Sequence, residues 1–338
     1  MKAPVDYIFA PAVPGEVPYW RLVLRGASQM CFQSNELTGL FFLAAVLVAS
    51  PISAAYLLVA GIMAPAGRML LGDRGVVLSS GLPGLNPCLI ALAIPAFFET
   101  GWTNVGMWAV LVVCVAITIV LVKICVALLP LPTLALPFLI VFWALYALEP
   151  HIDAVQLLSL STSEGAAFQP LTAVLLSLGQ ALFSPAVLSG VLFATGVLLS
   201  NWRHGVLAIA GAIIGTVVAY YYRHVDPASA DLGLYGFNGV LTAVAVFVVC
   251  GGKLRLSILG ALIATMLMPA IADFGVQVLS APFVLTTWLL LVLGWIEDHW
   301  FDEDAVAAPE PIPAARSARA EKQTQTTSET PPRGHSGA

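Results

Sequence analysis

Charge is what this chain has least of. Asp, Glu, Lys and Arg make up 10% of its 338 residues, where a soluble globular domain carries roughly 25%. Too few charges are present to clothe a surface in water, so most of the chain must face lipid. No basic stripe runs along it, which removes nucleic acid as a partner. Cysteine is scarce too. Cys31, Cys88, Cys114, Cys125 and Cys250 form no CxxC pair, and most sit inside apolar runs. They read as small buried hydrophobes, not redox or metal groups, and neither metal nor cofactor is expected. His151, His204, His224, His299 and His335 are scattered near segment ends and read as interfacial. The first 36 residues contain Lys2, Asp6, Glu16, Arg21, Arg25 and Glu36 and no hydrophobic leader core, so no cleavable signal peptide is expected.

The apolar runs lack what pumps need. No paired carboxylates, no His–Asp chain and no row of arginines lies inside them, and proton-coupled pumps and voltage sensors depend on such groups. Lys123 sits late in a long run, where its amine can snorkel. Membrane enzymes carry HExxH, paired aspartates or Ser with His, and none is present, so an enzyme is not expected. What is left is transport of a neutral, polar solute. An ion-coupled secondary transporter, and a scaffold whose pore has degenerated, stand as alternatives.

What is present is apolar sequence, 59% of residues, cut into segments. These fall at about 37–50, 52–71, 85–98, 105–129 and 131–148, then at 171–183, 187–200, 205–222, 237–250, 256–272 and 281–296. Several are shorter than the roughly 20 residues of a spanning helix. Short apolar segments bounded by Gly and Pro predict half-helices or broken spans. The chain therefore reads as an N-terminal segment (1–20), a first membrane repeat (21–150), a polar connector (151–170), a second repeat (171–300) and a tail (301–338). The composition of the tail predicts disorder.

Three landmarks of the chain are written twice, in the same order. GLPGLN at 81–86 returns as GLYGFN at 233–238, an offset of 152. At an offset of 151, Gln29, Phe32, Leu37 and Gly39 meet Gln180, Phe183, Leu188 and Gly190. Pro137-Phe138 returns as Pro282-Phe283 at an offset of 145. Two halves around a central site are the usual internal symmetry of transporters and channels. If each half crosses an odd number of times, the halves are inverted; the segment count does not fix that parity.

Within the repeat, Gln29 and Gln180 are each followed three residues later by Phe, which sets amide and ring on one helical face. A buried amide must find partners, so a symmetric pair points to a pore. Asn86 and Asn238 start apolar segments and read as N-caps of their own half-helices, with Gly84 and Gly236 allowing close backbone passage. Glu36 is faced by Val187 in the repeat and falls outside the symmetric set.

At these same residues the chain resembles the urea transporter family. The resemblance covers about 21–296. It is carried by RGASQMCFQSNELTG, LPGLNPCLIALA, LPTLALPF, LYGFNGVLTA and APFVLTTW, and it is closest in the second half. It implies an all-α polytopic membrane protein: two inverted repeats of about five spanning helices plus re-entrant half-helices around a central pore. It also implies passive passage of urea, a homotrimer with one pore per subunit, and a multi-pass protein of the inner (plasma) membrane. By motif, Gln29 and Gln180 would supply oxygens to the NH₂ groups of urea. Phe32 and Phe183 would be slot residues, joined by Phe237 and Leu241 and, in the first half, by Leu85 and Leu89. Two departures stand out. Leu85 occupies an aromatic position, and Ala135 and Ser280 occupy the threonine positions of the two LPxxTxPF copies. They point to a short amide or another small neutral solute as a competing cargo.

Overall fold

The computed structural model describes residues 17–158, 169–222 and 233–300. Most of the N-terminal segment, much of the connector and the tail lie outside the described residues. Chain contacts divide the protein into a unit of 1–292, which holds both repeats, and a unit of 293–338, of which the last turns of the final helix are described.

Among the described residues, counting helices of ten residues or more, the first half holds six: α1 Tyr19–Ser28, α2 Glu36–Ala49, α3 Pro51–Leu70, α4 Leu85–Phe97, α5 Val105–Leu128 and α6 Leu136–Leu148. The second half repeats them in order: α7 Pro170–Gln180, α8 Val187–Ser200, α9 Trp202–Val217, α10 Gly236–Val249, α11 Leu254–Ala272 and α12 Ala281–Trp300. A π turn, Val218–Tyr222, extends α9.

Local signals explain most helix ends. Asn35 caps α2 through the amide of Thr38 at 3.0 Å. Asn104 caps α5 through Met107 at 3.2 Å, and Asn201 caps α9 through Arg203 at 3.0 Å. Such side chains satisfy amides that the first turn leaves open. A single extended residue joins α2 to α3 (Ser50, φ −157°, ψ 110°) and α8 to α9 (Asn201, φ −150°, ψ 108°). This is where both apolar segments stop in the sequence.

Among the described residues, four helices are long and apolar enough to cross a membrane: α3, α5, α9 with its π extension, and α11. They are two equivalent pairs. The count reaches five if the bent pair Tyr19–Cys31 and Glu36–Ala49, 74° apart, is one span. At 24 residues, α5 is about 36 Å long, enough for a hydrocarbon core of about 30 Å; it buries Leu111, Val115 and Ile119 against the protein and leaves Val112, Val113 and Val120 exposed, as contact with protein on one side and lipid on the other requires. In the first half α3 and α5 run parallel. Tyr56 packs on Trp108 with ring centroids 4.5 Å apart, and about three turns on Gly67 faces Ile119, a constant shift of 52. The stretch containing α4 therefore carries the chain back between them.

The inversion that the segment count left open is visible at α2 and α8. Thr38 donates to the Gly196 carbonyl at 2.8 Å, and its equivalent Ser189 donates to the Ala45 carbonyl at 2.6 Å. Between them Phe42 stacks on its own counterpart, Phe193, with centroids 4.9 Å apart and planes 6° off parallel. The pairing sums agree to within one residue, so the two equivalent helices run antiparallel. A two-fold axis that reverses a helix lies across it, so the repeats are inverted about an axis through the Phe42–Phe193 stack.

Candidate functional site

Among the described residues, four that are not glycine have positive φ: Phe32 (58°), Leu134 (46°), Phe183 (53°) and Leu279 (44°). They are two equivalent pairs. Each costs of order 1–3 kcal/mol unless its surroundings enforce it, and here hydrogen bonds do so. Phe32 and Phe183 follow the tight turns that end α1 and α7, where their amides donate to the carbonyls of Gln29 and Gln180 at 2.9 Å. The leucines are held by the asparagines. Asn86 donates to the Leu134 carbonyl at 2.8 Å and accepts from the Phe138 amide at 3.0 Å. Asn238 donates to the Leu279 carbonyl at 2.9 Å and accepts from the Phe283 amide at 3.3 Å.

That corrects one expectation. Neither asparagine caps its own helix: Asn86 lies inside α4 and Asn238 inside α10. Each instead caps the first turn of another helix, α6 or α12, about 50 residues on. The reason is local. Pro137 and Pro282 have no N–H to offer, so the next amide, on Phe138 or Phe283, is the one needing an acceptor.

The two repeated phenylalanines each meet a ring of the other half. The ring of Phe32 sits edge-on to Phe283, with centroids 6.0 Å apart, and Phe183 sits edge-on to Phe138 at 6.1 Å. These are the geometries aromatic quadrupoles favour. The turn Gln29–Cys31 touches both α4 of its own half and α10 of the other. Leu85 and Leu89 open α4 and are almost fully buried, as is Leu241; Phe237, at the start of α10, is half-buried. Ala135 and Ser280, also buried, stand just ahead of α6 and α12.

The glutamines are not alike. Gln29 is buried and its Nε2 donates to the Ser80 carbonyl at 2.8 Å. Gln180 is half-buried, and its Oε1 is enclosed without a partner. Ser280 Oγ is likewise buried and unpartnered. Glu36, outside the symmetric set, accepts from Arg21 and Arg25, the second at 2.8 Å, so its charge is compensated locally. Sequence reasoning passed over Phe138 and Phe283 as ring partners. It also passed over Gln33, whose Nε2 reaches His204 across the halves at 2.9 Å. Recurrence of the Pro-Phe pair was the signal for the first; nothing in the sequence signalled the second.

Inverted apolar repeats meeting at two aromatic pairs define a multi-pass membrane protein. The chain belongs to the urea transporter family, whose model, described as "Urea transporter", matches residues 20–294. It is similar to "Urea transporter 1" of Rattus norvegicus, 24% identical over 238 residues, covering 66% of this chain and 62% of that protein. It is also similar to "Urea transporter 1" of Ovis aries and of Capra hircus, each 24% identical over 293 residues, covering 80% of this chain and 76% of the relative. The chain thus spans under two thirds of the rat protein's length and about three quarters of the other two.

Proposed function

We propose that the chain passes urea passively across the plasma membrane, as a channel does, through a slot lined by Gln29, Phe32, Leu85, Leu89, Ala135, Gln180, Phe183, Phe237, Leu241 and Ser280. The observation that carries the reading is the cross-half pairing of Phe32 with Phe283 and Phe183 with Phe138 beside enclosed oxygens without partners. Urea is flat, neutral and rich in donors. Apolar walls admit the dehydrated plate and refuse ions, whose desolvation is far costlier. Oxygens at the edge replace lost water, each bond contributing about 0.5–1.5 kcal/mol, enough to compensate and too little to trap. The reading includes the membrane repeats 21–150 and 171–300 as the working units and a homotrimer, which rests on family resemblance alone.

Stopped-flow permeability of proteoliposomes to urea tests it, beside a Gln29→Ala, Gln180→Ala double variant. Fast, unsaturable flux, indifferent to Na⁺ and lost in the variant, is expected. No flux above empty liposomes from folded protein would overturn it. A second reading, a short primary amide as cargo, is favoured by Leu85 and Ala135 and is separated by running acetamide and formamide alongside.

A further inference from the structure

Among the described residues, three buried oxygens without partners lie in the second half: Gln180 Oε1, Ser280 Oγ and Thr286 Oγ1. Thr286 carries no role in the reading above. It is 1% exposed, and a buried helical threonine ordinarily bonds back to a carbonyl one turn earlier. Thr118, Thr242, Thr265 and Thr287 all do so, at 2.6–2.9 Å. Thr286 forgoes that bond. Ser280 forgoes its own option too. As the residue ahead of α12 it would cap the Phe283 amide, but Asn238 has taken that amide.

Ser280, Phe283 and Thr286 follow one another at intervals of three, which sets them along one side of the start of α12. The middle member is the ring that meets Phe32. At an offset of 145 the first half reads Ala135, Phe138 and Val141, all buried. The sequence of groups is hydroxyl, ring, hydroxyl in one half and methyl, ring, isopropyl in the other. Because α6 and α12 are exchanged by the two-fold axis, they lie on opposite sides of it.

We infer that Thr286 is a solute-contacting residue and that the slot has two chemically unlike edges. One edge, from α12, offers acceptors at Ser280 and Thr286. The facing edge, from α6, is apolar at Ala135 and Val141. A plate with one NH₂ edge and one alkyl edge, a short primary amide, matches both. Urea, with two NH₂ groups, matches one. This rests on the proposed pore and names the solute class that it suits.

The test measures urea and acetamide permeability, each corrected for empty liposomes, in wild type, Thr286→Val and Val141→Thr. Losing one acceptor in Thr286→Val is expected to lower the flux of both solutes roughly two- to tenfold. Adding a hydroxyl in Val141→Thr is expected to raise the urea-to-acetamide ratio. Thermal unfolding supplies a readout independent of flux: Thr286→Val removes a hydroxyl with no partner, so its midpoint should be unchanged or higher. Wild-type flux of both solutes in Thr286→Val, or a lowered midpoint showing that the hydroxyl serves the fold, would overturn the inference. Acetamide flux without urea flux in wild type would remove the urea reading and leave this one standing. Flux of neither from folded protein removes both.

Discussion

The indole N–H of Trp143 donates to the Gln277 carbonyl at 2.8 Å, and 145 positions on the relation is returned: Trp288 donates to the Pro132 carbonyl, also at 2.8 Å. Gln277 is itself 145 positions from Pro132, so the two bonds form one reciprocal lock between the halves. Each indole holds the stretch just ahead of the opposite half's positive-φ leucine, Leu134 or Leu279.

Replacing either indole by phenylalanine keeps most of the ring and orphans a carbonyl. Trp143→Phe is expected to cost about 1–3 kcal/mol and Trp288→Phe, whose bond is exposed, about 0.5–1.5 kcal/mol, and the double variant close to the sum, since the sites share no partner. Thermal unfolding in detergent checks this. A double variant as stable as wild type would show the lock to be idle.

Asn86 and Asn238 each satisfy a buried carbonyl and a buried amide. Truncation to alanine removes both partners, and each orphaned group costs about 1–3 kcal/mol. Asn86→Ala should be the more harmful, because its bond to Phe138 (3.0 Å) is shorter than that of Asn238 to Phe283 (3.3 Å). The yield of monodisperse protein and its unfolding midpoint should rank wild type, Asn238→Ala, then Asn86→Ala. The reverse order would count against the geometry.

Gly39 and Gly190 are equivalent, and a Cβ on either would land on backbone, the carbonyl of Leu24 or of Leu175. Backbone cannot give way as a side-chain tip can, so Gly39→Ala and Gly190→Ala are expected to cost several kcal/mol, above the usual 1–3 of overpacking. Gly101, with nothing within 4 Å of a built Cβ, serves as control. Normal folding of all three alanine variants would refute the close approach.

Gln33 sets a pH dependence. Its Nε2 donates to the Cys31 carbonyl at 2.7 Å, so that atom is the nitrogen, and His204 Nδ1 at 2.9 Å must accept. The imidazole is therefore neutral, with its proton on Nε2. Its place in the first turn of α9, at the positive end of the helix, favours that form. No carboxylate faces it from α7, α8 or α10, which carry no ionisable groups. Arg203 is its neighbour, Lys253 and Arg255 are exposed at the start of α11, and Glu36 is engaged by arginines. A contact made by the neutral form is present at high pH and lost once acidification charges the imidazole. Gln33 is next to Phe32, so solute flux should fall on acidification, and His204→Asn, which still accepts but does not titrate, should flatten the profile. The same acid fall in His204→Asn would place its origin elsewhere.

Much of this architecture was legible in the sequence because it is local or repeated. The shortage of charge dictated lipid. The recurrence of GLPGLN, of Gln-x-x-Phe and of Pro-Phe announced two halves, and the residues it picked out include both positive-φ phenylalanines. Caps at Asn35, Asn104 and Asn201 follow from rules spanning three residues. What the sequence misassigned were Asn86 and Asn238, whose partners lie more than 40 positions away.

Sequence alone thus determined the class, the repeat and the chemistry available along each helix face, since these depend on composition and on periods of a few residues. Only the tertiary structure decided that the repeats are inverted, that Phe32 meets Phe283 and Phe183 meets Phe138, and that Thr286 keeps a free hydroxyl. Those outcomes depend on how two halves some 150 residues apart pack about a common axis. No local period encodes which residue of one half will face which residue of the other.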